Sequence, residues 1–218
     1  MRGELSSAKF DKRHPLDWYV EPQWTVDQLI KHVHFREELV GGEGIWDPAS
    51  GSGTICSAFE GAGFDGRIYL SDVVDNVDRS QFLFSPVFQS ADFLELDRAP
   101  APGSIGCNPP YSYRKGIAEA FVRHALKLST RRVCMLLPIK WLSSQVRFGL
   151  FMQDHPPAEV LVLTQRPSMP PGDRIKLMGN RAFRGGMIDY CWIVWNVQEP
   201  TAPGQTRTVW LPPLPGGR

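Results

Sequence analysis

The chain lacks most of the features that would settle its class at a glance. Its net charge is only +1 over 218 residues, so any nucleic-acid surface has to be local rather than global. No apolar run approaches the roughly 18 residues that a membrane-spanning helix needs. The polar start of the chain has no apolar signal core, which leads us to expect a cytoplasmic protein with no membrane partner. Four cysteines are scattered without a Cys-x-x-Cys pair, which argues against a disulfide framework and a cysteine-rich zinc site. His32 and His34 have no further ligands at metal-binding spacing, and no metal is expected. Internal repeats and coiled-coil heptads are also missing.

What is present is an ordinary globular composition, 42% hydrophobic and 22% charged, in a chain long enough for one large domain. Short apolar runs alternate with helical patterns. Strands are expected at 44–46, 67–70, 87–90, 105–107, 133–137, 160–163 and 190–195. Helices are expected at 25–33 with Thr25 as a possible N-cap, at 55–63, at 117–128 and at 143–152. Near-continuous apolar strands between helices predict a doubly wound α/β sheet. Residues 1–14 read as a flexible arm. Residues 199–218 read as a Pro/Gly-rich tail, irregular except for a short extended piece at 207–211.

Two corners break this pattern, each at the end of a predicted strand, where open α/β sheets bind ligands. Asp47-Pro48-Ala49-Ser50-Gly51-Ser52-Gly53 joins the first strand to its helix. Gly51 and Gly53 allow a tight turn and a close backbone approach, and the helix start beyond them favours an anionic group. A dinucleotide site would need a third glycine where Cys56 stands, so a nicotinamide dehydrogenase is disfavoured. Asp72 follows by about 20 residues, the position from which a carboxylate accepts hydrogen bonds from ribose hydroxyls.

The second corner is Asn108-Pro109-Pro110-Tyr111. Two adjacent prolines continue neither a strand nor a helix, so they fix an extended turn carrying one amide and one ring. An exocyclic amine on a ring is a poor nucleophile because its lone pair is delocalised. The Asn108 side-chain carbonyl and the Pro109 backbone carbonyl can accept its N–H groups, steering the nitrogen toward a tetrahedral geometry. Tyr111 is expected to stack on the flat substrate.

Taken together, the corners resemble those of the S-adenosylmethionine-dependent amino-methyltransferases, and most of all the bacterial and phage DNA adenine-N6 methyltransferases. The first is similar to their Asp-Pro-x-x-Gly-x-Gly cofactor motif, and the second matches their [Asp/Asn/Ser]-Pro-Pro-[Tyr/Phe] motif. The resemblance spans roughly residues 17–197. It implies a Rossmann-like class I fold over 15–198, with a seven-stranded, mostly parallel sheet, helices on both faces and an antiparallel last strand. It implies S-adenosylmethionine as cofactor, DNA as partner, and Asn108, Pro109, Pro110 and Tyr111 as catalytic residues. Cofactor contacts would come from Asp47, Pro48, Gly51, Gly53, Asp72, Asp92 and Phe93. The family often carries Tyr-x-Thr-Pro near its start. Here the piece is Tyr19-Val20-Glu21-Pro22, and Glu21 in place of threonine points to a contact with the methionine ammonium instead.

Nothing in the chain is long enough for a separate target-recognition domain. The substitute is the segment 166–186, where Arg166, Arg174, Lys176, Arg181 and Arg184 face a single acid, Asp173. Basic residues among turn formers suit phosphate contacts on a mobile loop, and Arg114 and Lys115 can add to them. The corner does not distinguish adenine N6 from cytosine N4, RNA adenine or a protein glutamine amide. A catalytically silent nucleic-acid-binding relative also remains open.

Overall fold

A computed structural model describes residues 14–64, 67–111 and 113–215. Nearly all of the expected N-terminal arm therefore lies outside the described residues. The helices are α1 (Gln23–Val33), α2 (Arg36–Gly41), α3 (Thr54–Gly61), α4 (Ile117–Leu128) and the single turn α5 (Ile175–Met178). The strands are β1 (Gly44–Asp47), β2 (Ile68–Asp72), β3 (Val87–Ser90), β4 (Gly103–Cys107), β5 (Arg132–Pro138), β6 (Glu159–Leu163), β7 (Tyr190–Asn196) and β8 (Arg207–Leu211).

These strands form one sheet in the order β3-β2-β1-β4-β5-β7-β6-β8. Every pairing is parallel except those made by β7, which runs antiparallel to both β5 and β6. The expected Rossmann-like arrangement is present, with one addition. The extended piece at 207–211 is an eighth strand, paired parallel to β6 from Glu159↔Arg207 to Leu163↔Leu211.

Strand alternation builds two cores, one on each face, because successive side chains point to opposite sides. Along β7, Tyr190, Trp192 and Val194 join the α1/α3 side, while Cys191, Ile193 and Trp195 join the α4 side. Strand β5 does the same with Cys134 and Leu136 against Val133, Met135 and Leu137. Helix α4 meets its side with Ile117, Phe121, Ala125 and Leu128, all buried at helical spacing. All four cysteines are free and buried within these layers.

Three local expectations differ. Thr25 is inside α1 rather than capping it; Pro22 is the cap residue, and the Thr25 hydroxyl donates to its carbonyl at 2.9 Å. Residues 143–152 do not form one helix but a 3-10 turn (Gln145–Arg147) followed by a π turn (Leu150–Asp154). There the Arg147 side chain donates to the Trp141 carbonyl at 2.8 Å and stacks on its indole, and Pro156-Pro157 stop further helix. Helix α2 was not expected from its charged sequence. It is held by Glu38, fully buried and bonded to Arg132 and to Ser104 Oγ.

The chain runs outward through β1, β2 and β3, then returns to the other side of β1 as β4. That reversal leaves a crevice above the carboxyl ends of β1 and β4, which pair from Gly44↔Gly103 to Trp46↔Ile105. The two special corners therefore emerge side by side.

Candidate active site

Two cavities open above this crevice. The first encloses about 790 Å³ including its open mouth. It is lined by Pro48 to Ser52, by Asp72, Asp92 and Phe93, by Asn108 and Pro110, and by the strap 16–21. The second, about 1100 Å³ on the same basis, is walled by Tyr19, Tyr111, Lys140, Trp141, Arg147 and Tyr190. Tyr19 faces both cavities, and the Asn108–Tyr111 corner lies between them.

The glycine corner is shaped by its neighbours. Gly51 has φ 46°, and a Cβ there would stand 2.7 Å from Trp18 Nε1. A Cβ on Gly172 would come within 2.1 Å of Cε2 of the same indole. Trp18 thus packs against both the corner and the basic segment. Backbone bonds from Val20 N to Pro170 O (3.0 Å) and from Gly172 N to Trp18 O (3.1 Å) tie the strap down. Gly51 N donates to Asp72 Oδ2 at 2.9 Å and Val73 N to Asp72 Oδ1 at 2.7 Å. Burial still pushes the Asp72 carboxyl above its ordinary value.

Not every expected cofactor residue borders the first cavity. Gly53 is the cap residue of α3, and Pro22 lines a neighbouring groove. Asp92 caps a 3-10 turn through Leu94 N at 3.0 Å. Phe93 is nearly all core, packed on Trp46 at 5.3 Å and Phe121 at 4.9 Å, and only its margin reaches the cavity.

Beneath the cavity lie two more acids. Asp47 is 2% exposed, and its Oδ1 accepts from Ala49 N at 3.1 Å. Desolvation raises its carboxyl well above the usual range, and the nearby Glu21 raises it further. Glu21 is 6% exposed and is pushed up to about 7 by burial, against the opposing effect of its bond to Asn108. Among the described residues neither acid has a basic partner.

At the second corner, Asn108 Nδ2 donates to Tyr19 O at 3.0 Å and to Glu21 Oε2 at 2.8 Å. The Tyr111 hydroxyl donates to Asn108 Oδ1 and to Leu136 O at 3.2 Å. Burial holds that hydroxyl well above its ordinary value. The Tyr111 ring is tilted against Tyr190 at 6.1 Å and walls the second cavity. Pro109 is buried under the corner. Arg147 and Tyr190 were not expected in this wall; they come from a turn and a strand that carry no motif.

The basic segment 166–186 is a folded surface layer of short turns, with Ala182 buried and Ser168 Oγ bonded to Ala182 O at 3.0 Å. Arg166 pairs with Asp189 at 2.6 Å, while Lys176, Arg181 and Arg184 are exposed. Arg174 is partly buried and engaged. Arg114 and Lys115 are exposed beside the Asn108 corner and line neither cavity.

No protein-family model and no curated protein matches this chain. Solved structures do. A candidate RNA methyltransferase from Pyrococcus horikoshii superposes with TM-score 0.58 at 17% identity, covering 86% of this chain and 90% of that one. The methyltransferase subunit of a type I restriction-modification system from Streptococcus thermophilus gives 0.58 at 15%, covering 82% of this chain and 44% of that one. An S-adenosylmethionine-dependent O-methyltransferase from Thermotoga maritima gives 0.53 at 12%, covering 84% and 71%. At such identities the likeness is one of fold: this chain has the Rossmann-like fold found in methyltransferases that act on different acceptors.

Proposed function

We propose that this protein is an S-adenosylmethionine-dependent methyltransferase whose acceptor is the exocyclic amine of a nucleic-acid base, adenine N6 in DNA. The observation that carries the reading is the Asn108–Tyr111 corner standing between two cavities at the adjacent ends of β1 and β4. The first cavity has the size of a small-molecule site. Its buried acids, Glu21 and Asp47, have no basic partner in the described chain, which fits a cationic ligand. When bound there, S-adenosylmethionine supplies an electrophilic methyl group on a sulfonium.

Asp72 keeps lone pairs for ribose hydroxyls beside its bonds to backbone N–H groups. Asn108 Oδ1 and the Pro109 carbonyl accept the amine N–H groups, which favours a nitrogen that is becoming positive over one that is flat and conjugated. Tyr111, Trp141 and Tyr190 offer aromatic surfaces for a flipped base. For Asn108 Oδ1 to receive the amine, the Tyr111 hydroxyl shares that oxygen or falls back on Leu136 O alone. The exposed Lys176, Arg181 and Arg184, with Arg114 and Lys115, supply phosphate contacts.

The test is transfer of labelled methyl to duplex DNA, RNA and a protein extract, followed by nucleoside and amino-acid analysis. We expect N6-methyladenine in DNA. Asn108→Ala should retain S-adenosylhomocysteine binding while transfer falls by about 100-fold or more, the scale of losing one charge-matched hydrogen bond at a reacting atom. Full activity of Asn108→Ala overturns the assignment. Label appearing only in RNA moves the acceptor to RNA, a reading the Pyrococcus horikoshii likeness favours.

A further inference from the structure

The amide of Asn108 has two faces, and the reaction proposed above needs the correct one toward the acceptor. Flipping the amide would exchange Oδ1 and Nδ2 and present a donor to an amine that itself donates. Tyr111 does not prevent the flip, because a phenol oxygen can accept as well as donate. The discrimination comes from the other side of the amide. There Nδ2 meets two acceptors, the Tyr19 carbonyl at 3.0 Å and Glu21 Oε2 at 2.8 Å. A flipped amide would set Oδ1 against both.

We propose that Glu21 is a positioning residue: its carboxylate, reaching up from beneath the first cavity, holds Asn108 with Oδ1 turned to Tyr111 and the acceptor side. The proposal rests on the reading of Asn108 as the group that receives the amine. It gives Glu21 a task beyond contact with the donor. Glu21 and Asn108 both border the first cavity, and Asn108 Oδ1 accepts from Tyr111 in the wall of the second, so the amide links Glu21 to the other half of the site.

The hold depends on the state of Glu21. An ionised carboxylate can only accept, and it rejects Oδ1. A protonated one can donate to Oδ1 and so tolerates the flipped amide, leaving Tyr19 O as the sole opposition. Burial raises this carboxyl to about 7, so both states are accessible near neutral pH. The ionisable groups facing it are Asp47 from β1, Cys56 from α3, Cys107 at the end of β4, and Tyr111, with Asp72 beyond Asp47. All of these are acids, so none of them helps Glu21 to ionise. A cationic methyl donor in the first cavity would. Donor binding thereby drives Glu21 toward the carboxylate and fixes the amide when it is needed.

The side-chain amide resonances of Asn108 report this directly in nitrogen-15-labelled full-length protein, identified by their loss in Asn108→Ala. In the wild type they should titrate with a midpoint near 7 without donor, and shift to their high-pH position when S-adenosylmethionine is added. In Glu21→Gln the pH response should vanish. In Glu21→Ala the resonances should move toward the free-amide position with or without donor, and transfer to duplex DNA at saturating donor should fall by about tenfold or more, while donor KM rises because the carboxylate that the donor favours is gone. Wild-type resonances that do not titrate, or that titrate identically in Glu21→Gln, overturn the role of Glu21 and leave the methyltransferase reading standing. Full activity of Asn108→Ala overturns the reading itself, and the role of Glu21 with it.

Discussion

Two sets of buried carboxylates lie at opposite ends of the sheet and are handled in opposite ways. At the amino ends of β4 and β5, Glu38 is fully buried and bonded to Arg132, whose other amine donates to Glu37 at 2.7 Å. Ser104 Oγ gives Glu38 a further bond at 2.6 Å. At the carboxyl ends of β1 and β4, Glu21 and Asp47 are nearly as buried, yet among the described residues their carboxylates meet no cation: Glu21 takes the Asn108 amide, and Asp47 takes the Ala49 N–H and the Cys107 thiol. The first set carries its own countercharge and fastens α2 to the sheet. The second has no countercharge of its own among the described residues, and the function proposed above assigns that part to the methyl donor. Leaving carboxyls unpaired in the interior costs stability, a cost that clusters at functional sites.

The sharpest way to break this contrast is Glu38→Ala. It strands Arg132 with only the exposed Glu37 and should destabilise the protein by about 3 kcal/mol, at the lower end for a broken buried pair. Denaturant unfolding measures it, and a loss below about 1 kcal/mol would remove Glu38 from the structural set.

An effect of opposite sign, and at most of similar size, is expected for Glu21→Gln. The Glu21 carboxyl is raised from 4.5 to about 7 in the fold, so the stability it contributes is present below about pH 4.5 and lost as pH rises through 7. Relative to wild type, Glu21→Gln should therefore gain stability between about pH 5 and pH 8, by up to about 3 kcal/mol. Saturating S-adenosylmethionine should narrow that gap. A gap that does not change with pH would place Glu21 with Glu38.

The surface repeats the contrast with the charges reversed, and more weakly. Arg166 has Asp189 as its partner, whereas Lys176, Arg181 and Arg184 make no ion pair among the described residues; Lys176 bears on Asp78 only at longer range. Replacing these three with alanine should leave stability within about 0.5 kcal/mol. It should also lower the salt-dependence slope of duplex binding by up to about 3. An unchanged slope would mean that these side chains do not meet phosphates.

Much of the fold was legible because it is written locally. Strand β7 shows its two-sided burial in the unbroken apolar run from Tyr190 to Trp195, and α4 shows its face at Ile117, Phe121, Ala125 and Leu128. The site was legible where motifs bend the backbone: Gly51 does so through its positive φ, and Asn108-Pro109-Pro110 through rings that end a strand. Helix α2 was hidden because its core residue is a glutamate, which reads as surface until Arg132 is beside it. The turn at Gln145–Arg147 was misread because apolar spacing resembled a helix, while the Arg147 stack on Trp141 is a tertiary contact.

By itself the sequence determined where the chain must turn and which residues stand at those turns, since glycine and proline act on their own backbone. Tertiary structure alone decided that Glu21 meets Asn108, 87 residues away, that Trp18 packs closely on both Gly51 and Gly172, and that 207–211 becomes a strand beside β6. Those contacts depend on how the sheet and its layers pack. A local pattern can place a carboxylate or an amide at the end of a strand, but only packing chooses its partner.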